Sequence, residues 1–230
     1  MADNPEVQLR EVRLSFADHL FEAEVGEVRT KGKHKGKIPY RNSVNFLIPK
    51  SNTALKAAID KALIEARNAQ WPVDPPKIKA DKLCLQDGDE VDYAGYAGHW
   101  YLSASRTTYG TAEGKAPKRP YRIIDRVKVE RDGVMVFPDI SLDDDKCRAG
   151  DYVNAIVRIW AQDDEDYGKR INASIEAVQF WKVGERFGGG ARVDVNSRFD
   201  EFDGDDDGDD GLGAIAKSSA SGGGVESLLG

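Results

Sequence analysis

The feature that most constrains the fold is a strictly alternating stretch, DYVNAIVRIW, at residues 151–160. Apolar side chains at every second position predict a β-strand with one buried face. That face is expected to carry Val153, Ala155, Val157 and Ile159. The opposite face carries Tyr152, Asn154, Ile156, Arg158 and Trp160. Aromatic and basic groups rarely share an exposed strand face unless it is covered or binds a ligand.

A second long strand is predicted over residues 171–181, with a hairpin loop at the acidic run 163–166 and Gly168. Its inward residues are expected to be Ile171, Ala173, Ile175 and Ala177. The alternation slips near Val178, which predicts a β-bulge before Phe180 and Trp181. The two strands together indicate a long antiparallel hairpin.

Further alternating stretches predict strands over residues 11–16, 44–48 and 99–106. The first is expected to place Val12, Leu14 and Phe16 on one side and to continue past a bulge to residue 25. One helix is predicted between a cap at Ser51 or Asn52 and Trp71, because apolar residues there recur at spacings of three and four. The chain is therefore expected to be mainly β, with one helix covering an end of a sheet or barrel.

The most aromatic stretch is residues 93–101, which contain Tyr93, Tyr96, Trp100 and Tyr101. On the following strand, Trp100 shares a face with Leu102, and Tyr101 shares the other face with small polar residues. A pleated surface that carries rings is suited to stacking on unpaired bases. The alternative is that these rings fill a β-barrel core.

Two basic clusters are predicted to be loops. Residues 29–41 carry six basic side chains, and residues 107–128 carry six more with Tyr109 and Tyr121 interleaved. Mobile lysines and arginines suit sequence-independent contacts with phosphates. A solvated loop without a ligand is the alternative for each cluster.

The charge of the chain is unevenly distributed. Residues 199–230 contain nine acidic side chains and one basic side chain, a net charge of −8, within a total of −7. The remaining residues therefore carry about +1, so an acidic chain is compatible with a polyanionic ligand. Like charges and the Gly/Ser-rich end predict a disordered tail over residues 199–230.

No catalytic or metal-binding motif is found in the sequence. The three histidines stand at no metal spacing, and no nucleophile elbow or nucleotide fingerprint is present. Cys84 and Cys147 are expected to be free thiols in a reducing cytosol. No apolar run is long enough to span a membrane and the N-terminus has no apolar signal core, so a soluble protein is expected.

In the order of its pieces, the chain resembles the phage single-stranded DNA-binding proteins of the OB-fold type. The resemblance covers about residues 10–205 and rests on NFLIPKSNTALKAAIDKALIEA, LQDGDEVDYAGYAGHWYLSAS, AGDYVNAIVRIWAQ, ASIEAVQFWKVGERFGGG and the acidic run. It implies an OB-type barrel that coats single strands during phage replication and recombination in the cytoplasm of the infected bacterium. It implies no catalytic activity, cofactor or metal, and an acidic tail that contacts phage or host replication proteins. The resemblance leads us to expect the acidic run at the very end of the chain, whereas here residues rich in Gly, Ser and Ala follow it.

The resulting prediction is an OB-fold-like antiparallel barrel with long loops, over residues 1–198, that binds single-stranded DNA without strong sequence preference. Bases are expected to stack on Tyr96, Trp100, Tyr101, Tyr152, Trp160 and Trp181. Phosphates are expected to contact Lys31, Lys33, Lys35, Lys37, Arg41, Arg106, Lys118, Arg119, Arg122 and Arg158. The partner-binding tail residues are Asp200, Glu201, Asp205, Asp206, Asp207, Asp209 and Asp210.

Two alternatives from other classes remain at this point. One is a metal-dependent phage nuclease that uses Asp87, Asp89 and Asp92, and the other is a replication scaffold whose aromatic rings all lie in the core. The sequence also leaves a homo-oligomer open.

Overall fold

Alternating aliphatic residues fold into a closed β-barrel with one helix packed against it. The structure is a computed structural model that describes residues 4–111, 116–164 and 167–187. Its strands are β1 Glu6–Ser15, β2 Glu24–Val25, β3 Lys37–Pro49, β4 Leu85–Asp87, β5 His99–Thr111, β6 Arg122–Ile124, β7 Val129–Arg131, β8 Val134–Val136, β9 Tyr152–Asp164 and β10 Gly168–Lys182. Its helix α1 is Thr53–Gln70.

Five long strands form the ring of the barrel. β1 lies between β3 and β9, β3 also pairs with β5, and β9 pairs with β10, all antiparallel. The ring closes where β10 runs parallel to β5, with Ala173 opposite Ala104. The prediction of a mainly β, OB-fold-like barrel with one helix is confirmed, with this parallel seam in an otherwise antiparallel ring. β7 and β8 form a separate hairpin that was not predicted.

The barrel interior holds the predicted inward residues of β9, together with residues from every other ring strand. In β10, Ile171, Ala173 and Ile175 are buried, but Ala177 is only half-buried and Val178 takes the next inward place. The register changes between Ile175 and Ala177, and again after Phe180. The predicted bulge is therefore real but begins earlier, because the alternation already slips at residue 176.

β1 differs from its prediction at both ends. It begins at Glu6, contains a register shift between Leu9 and Val12, and ends at Ser15. Phe16 does not share the buried face of Val12 and Leu14, because its φ of 48° turns the chain and leaves half of the residue exposed. The predicted continuation to residue 25 is reduced to the two residues of β2.

The helix matches its prediction closely. It ends directly before Trp71, and the Asn52 side chain caps it by accepting a hydrogen bond from the Leu55 N–H at 3.2 Å. Its buried residues are Ile59, Ala62, Leu63 and Ala66, which join the barrel core. The helix packs against β1, β9 and β10, so it covers one part of the barrel as expected.

The first basic cluster is only partly a loop. β3 begins at Lys37, so Lys37 and Arg41 lie in a strand, where they pair with Thr111 and Thr107 of β5. β3 pairs with β5 along its whole length and also with β2 at Tyr40 and Arg41. We call residues 26–36, which precede it, the basic loop.

Both cysteines are free, as predicted; both are also buried, and burial raises the pKa of each thiol to about 12. Within the described residues, no helix is both long and apolar enough to cross a membrane. The predicted tail, residues 199–230, lies outside the described residues, so the domain boundary after residue 198 stays a prediction.

Candidate nucleic-acid interface

One outward face of the barrel is built from paired residues of β3 and β5. The cross-strand pairs, from one end to the other, are Leu47–Tyr101, Asn45–Ser103, Ser43–Ser105, Arg41–Thr107 and Pro39–Tyr109. Alternate residues of a strand point to the same side, so these ten share a face. At about 3.3 Å per residue, the row from Tyr101 to Tyr109 is roughly 26 Å long. We call this face, with the side chains that flank it, the β3–β5 groove.

The position of this groove in the barrel is itself informative. β3 and β5 are the second and third strands of the ring in chain order, the basic loop lies between the first and second, and the β9–β10 turn lies between the fourth and fifth. In OB barrels, the face of the second and third strands and these two loops bind oligonucleotides and oligosaccharides. The groove is therefore the expected ligand face of this architecture.

Four aromatic rings meet at one end of the groove. Tyr96 lies at their centre, with ring centroids 5.3 Å from Tyr93, 5.1 Å from Tyr101 and 6.2 Å from Phe16. Phe16 contacts Tyr93 edge-on at 5.1 Å. Phe16 and Tyr93 are 50% and 52% exposed, so these two offer ring surface to a ligand, whereas Tyr96 is fully buried.

Hydrogen bonds hold the floor beside these rings. The Ser103 hydroxyl donates to Asn45 Oδ1, and Asn45 Nδ2 donates to the Tyr96 hydroxyl, both at 2.8 Å. The Tyr101 hydroxyl donates to Gln86. Burial raises the pKa of both Tyr96 and Tyr101. The aromatic end is thus positioned before any ligand arrives.

Two arginines lie at the centre of the groove. Arg41 of β3 and Arg170 of β10 line a cavity of 290 Å³ together with Phe16, Asn45 and Ser103. Among the described residues, neither guanidinium group has a carboxylate partner, and Arg170 Nε is buried without a hydrogen bond. Unpaired cations in a polar groove suit an anionic ligand.

The far end of the groove is bounded by the basic loop and the β9–β10 turn. A cavity of 460 Å³ there is lined by Arg29, Lys31, Lys33, Tyr109 and Tyr167, among others. The neighbouring Tyr167 hydroxyl raises the pKa of Arg29. Five of the predicted phosphate contacts belong to the groove or to the basic loop, namely Lys31, Lys33, Lys35, Lys37 and Arg41.

Two predicted stacking residues of the aromatic stretch do not present a ring to the groove. Trp100 lies on the opposite face of β5 from Tyr101, packed against the core, with Lys50 and Lys56 nitrogens 4.8 and 4.7 Å from its ring centre. Tyr96 has no exposed surface, so it supports the neighbouring rings. The alternation that separates Trp100 from Tyr101 was correctly predicted.

The other predicted stacking residues lie on a different surface. Tyr152 and Trp160 of β9 and Trp181 of β10 point outward from the strand pair, as does Arg158. We call this surface the side face. Trp160 Nε1 donates to Ser174 Oγ at 2.9 Å, Arg126 covers Trp181 at 5.3 Å, and Lys182 covers Tyr152 at 4.6 Å.

Most remaining predicted phosphate contacts already have partners. Arg158 pairs with Glu6 at 2.5 Å and lies 3.4 Å from Glu176, which also pairs with Arg106 at 2.6 Å. Arg122 pairs with Asp139 at 2.9 Å. Arg119 donates to the Tyr121 carbonyl, and Lys118 is exposed next to it, outside the groove.

The acidic turn proposed for the nuclease alternative holds a lysine. Lys50 Nζ lies 2.5 Å from both Asp87 and Asp89, and these contacts lower the pKa of each carboxyl group. Asp92 is exposed. Across residues 4–111, 116–164 and 167–187, no three His, Cys, Asp or Glu side chains are grouped as a metal site would require.

Several groove residues were not predicted from the sequence. Phe16, Asn45, Tyr109 and Arg170 lie far apart in the chain, and only the pairing of β3 with β5 and the seam with β10 bring them together. The available signal was the outward parity of β5, since Tyr109 continues the series that begins at Tyr101. Arg170 had no such signal.

Comparisons with known proteins agree with this architecture. The sequence model of a family described as "Enterobacter phage Enc34, ssDNA-binding protein" matches residues 5–211. Protein p50 of Acyrthosiphon pisum secondary endosymbiont phage 1 is 34% identical over 204 residues, 86% of this chain and 92% of p50.

Solved structures show the same fold. The single-stranded DNA-binding protein from bacteriophage Enc34 has a TM-score of 0.57 and 24% identity, over 85% of this chain and 90% of that one. The same protein in complex with ssDNA has a TM-score of 0.56 and 24% identity, over 80% and 89%. Because the family match spans nearly the whole sequence and the fold agrees with it, this chain belongs to the Enc34 ssDNA-binding protein family.

Proposed function

We propose that this protein binds single-stranded DNA in the β3–β5 groove. The observation that carries the proposal is the pair of unpaired guanidinium groups, Arg41 and Arg170, beside a row of outward polar and aromatic residues. Cations without counter-ions attract the phosphates of a nucleic acid, and exposed rings stack on bases only where strands are unpaired. The relative from phage Enc34, whose structure contains ssDNA, supports the same ligand.

The two ends of the groove offer different kinds of contact to a bound strand. Phe16, Tyr93 and Tyr101 offer ring surface at one end, where each stacked base contributes about 1–3 kcal/mol. Arg41, Arg170 and the lysines of the basic loop supply phosphate contacts along the centre and the other end. Stacking and phosphate contacts carry little sequence information, so binding should show little sequence preference.

The family membership supports a biological role that is part of this proposal. The protein coats single strands during phage DNA replication and recombination, in the cytoplasm of the infected cell, and performs no chemistry itself. The acidic residues 200–210 would contact replication proteins of phage or host. The family membership and the two carboxylates that hold Lys50 support a binding role over a nuclease.

Anisotropy of a labelled oligo-dT strand, titrated with protein over a range of salt concentrations, tests the proposal. If Arg41, Arg170 and the lysines at positions 31, 33, 35 and 37 all contact phosphates, the log–log salt slope should be about −4. A duplex competitor should bind more weakly, since its bases cannot stack on the rings. A protein that fails to bind oligo-dT at 50 mM salt, or binds it with no salt dependence, would contradict the proposal.

A further inference from the structure

The ring of His34 lies flat on the ring of Tyr109. Their centroids are 3.7 Å apart and the planes differ by 5°. This is the arrangement that a nucleobase adopts on an aromatic side chain. Tyr109 also ends the row of outward β5 residues that starts at Tyr101. We infer, on the basis of the proposed function, that Tyr109 is a nucleobase site and that His34 occupies it until a base replaces the imidazole.

The histidine is an imperfect occupant of this position. His34 Nδ1 is buried and has no hydrogen-bond partner within the described residues. A buried polar atom without a hydrogen-bond partner destabilises a structure. When the imidazole moves into water, its Nδ1 atom gains the missing hydrogen bond. This gain offsets part of the stacking energy that His34 loses when it leaves Tyr109.

The loop that carries His34 has open space around both of its glycines. Gly32 and Gly36 flank it with φ angles of 73° and 79°, and a Cβ atom at either position would meet nothing within 4 Å. The base of the loop is fixed, because Gly36 N–H donates to the Arg29 carbonyl at 2.8 Å and Arg29 N–H donates to the Lys37 carbonyl at 2.9 Å. The His34 backbone is also fixed, because its carbonyl accepts a hydrogen bond from the Lys37 N–H at 3.1 Å, so the imidazole would leave Tyr109 by rotation of the side chain.

The surroundings suit a nucleotide. The 460 Å³ cavity around Tyr109 is lined by three cations, Arg29, Lys31 and Lys33, and by one carboxylate, Asp164, as well as by His34. A base stacked on Tyr109 would thus have its flanking phosphates among three cations. Binding of a base would displace only the imidazole. The lysines of the same loop would contact the phosphates of the bound strand.

The test is a double-mutant cycle with His34→Ala and Tyr109→Leu, the second chosen because it keeps apolar bulk. His34→Ala should tighten oligo-dT binding about fivefold, because a larger fraction of the protein then has a vacant site. Tyr109→Leu should weaken binding about tenfold. His34→Ala should have no effect in the Tyr109→Leu background. His19→Ala, an exposed histidine outside the cavity, is the matched control and should bind like the wild type.

Photocrosslinking with iododeoxyuridine in the strand gives an independent readout, with a crosslink expected at Tyr109 that increases in His34→Ala. If the wild type binds with the expected salt slope but His34→Ala weakens binding, or acts equally without Tyr109, the inference is wrong and the proposed function stands. The same conclusion follows if neither protein crosslinks at Tyr109. If the wild type does not bind oligo-dT at all, the proposed function itself is wrong.

Discussion

The β3–β5 groove and the side face contain the same kinds of residues in different states. On the side face, rings and cations satisfy each other: Arg126 covers Trp181, Lys182 covers Tyr152, and Arg158 pairs with Glu6. In the groove, Phe16 and Tyr93 touch edge-on and keep half of their surface exposed. Arg41 and Arg170 have no carboxylate partner among the described residues.

This difference shows that residue type alone does not identify a binding surface. A cation that already contacts a carboxylate must lose that interaction before it can bind a phosphate, and a ring covered by a cation must be uncovered before it can stack. Among the described residues, the groove cations have no carboxylate to lose, and rings are covered only where His34 lies on Tyr109 and where Arg170 lies 5.7 Å from the Tyr167 ring centre. The cations of the groove can therefore bind a phosphate without first losing an ion pair.

The largest expected effect comes from removing the two unpaired guanidinium groups. By counterion release, each phosphate contact is worth about eightfold in affinity at 50 mM salt, so Arg41→Gln with Arg170→Gln should weaken oligo-dT binding about 60-fold. The salt slope should fall by about 1.4. Anisotropy titrations at several salt concentrations measure both quantities.

The matched control for this pair removes the same charge from the side face. Arg10 and Arg126 lie there without a carboxylate partner within the described part of the chain. Arg10→Gln with Arg126→Gln should change affinity less than threefold, through the long-range field alone. Equal losses for the two pairs would mean that net charge, and not the groove, determines binding.

A smaller effect is expected from Phe16. Phe16→Ala should weaken binding about tenfold by removing one stacking surface, with little change in stability because half of the residue is exposed. Trp181→Ala, on the side face, should leave the affinity unchanged once circular dichroism has confirmed its fold. The comparison between the two surfaces would break down if Trp181→Ala proved the more damaging substitution.

Local patterns were sufficient to predict much of the fold. The alternation of β9, the spacing of apolar residues in α1 and the cap at Asn52 each depend on neighbours within a few positions, and each was confirmed. The failures arose where a single backbone angle decides the outcome. Phe16 was assigned to the buried face because a φ of 48° after an alternating strand leaves no trace in the pattern.

The candidate site was predictable only in part. The basic loop was recognised from its composition, and Tyr101 from its place opposite Trp100. Which cations are paired could not be predicted, because Glu176 pairs with Arg106 across 70 residues of sequence. The assembly of Phe16, Asn45 and Arg170 likewise depends on barrel closure, a non-local property that only the fold supplies.

The smallest expected effect comes from releasing paired cations on the side face. Glu176→Gln leaves Arg106 without its carboxylate partner and removes a carboxylate that Arg158 also contacts. The bridge is partly exposed, so its loss should reduce stability by less than about 1 kcal/mol. Because these arginines lie outside the groove, oligo-dT binding at 50 mM salt should tighten only about twofold, from the added positive charge.

Asp139→Asn, which frees Arg122 elsewhere on the barrel, is the matched control and should give a similar change. A gain near eightfold for Glu176→Gln alone, with a salt slope steeper by about 0.7, would instead place the DNA strand across both surfaces.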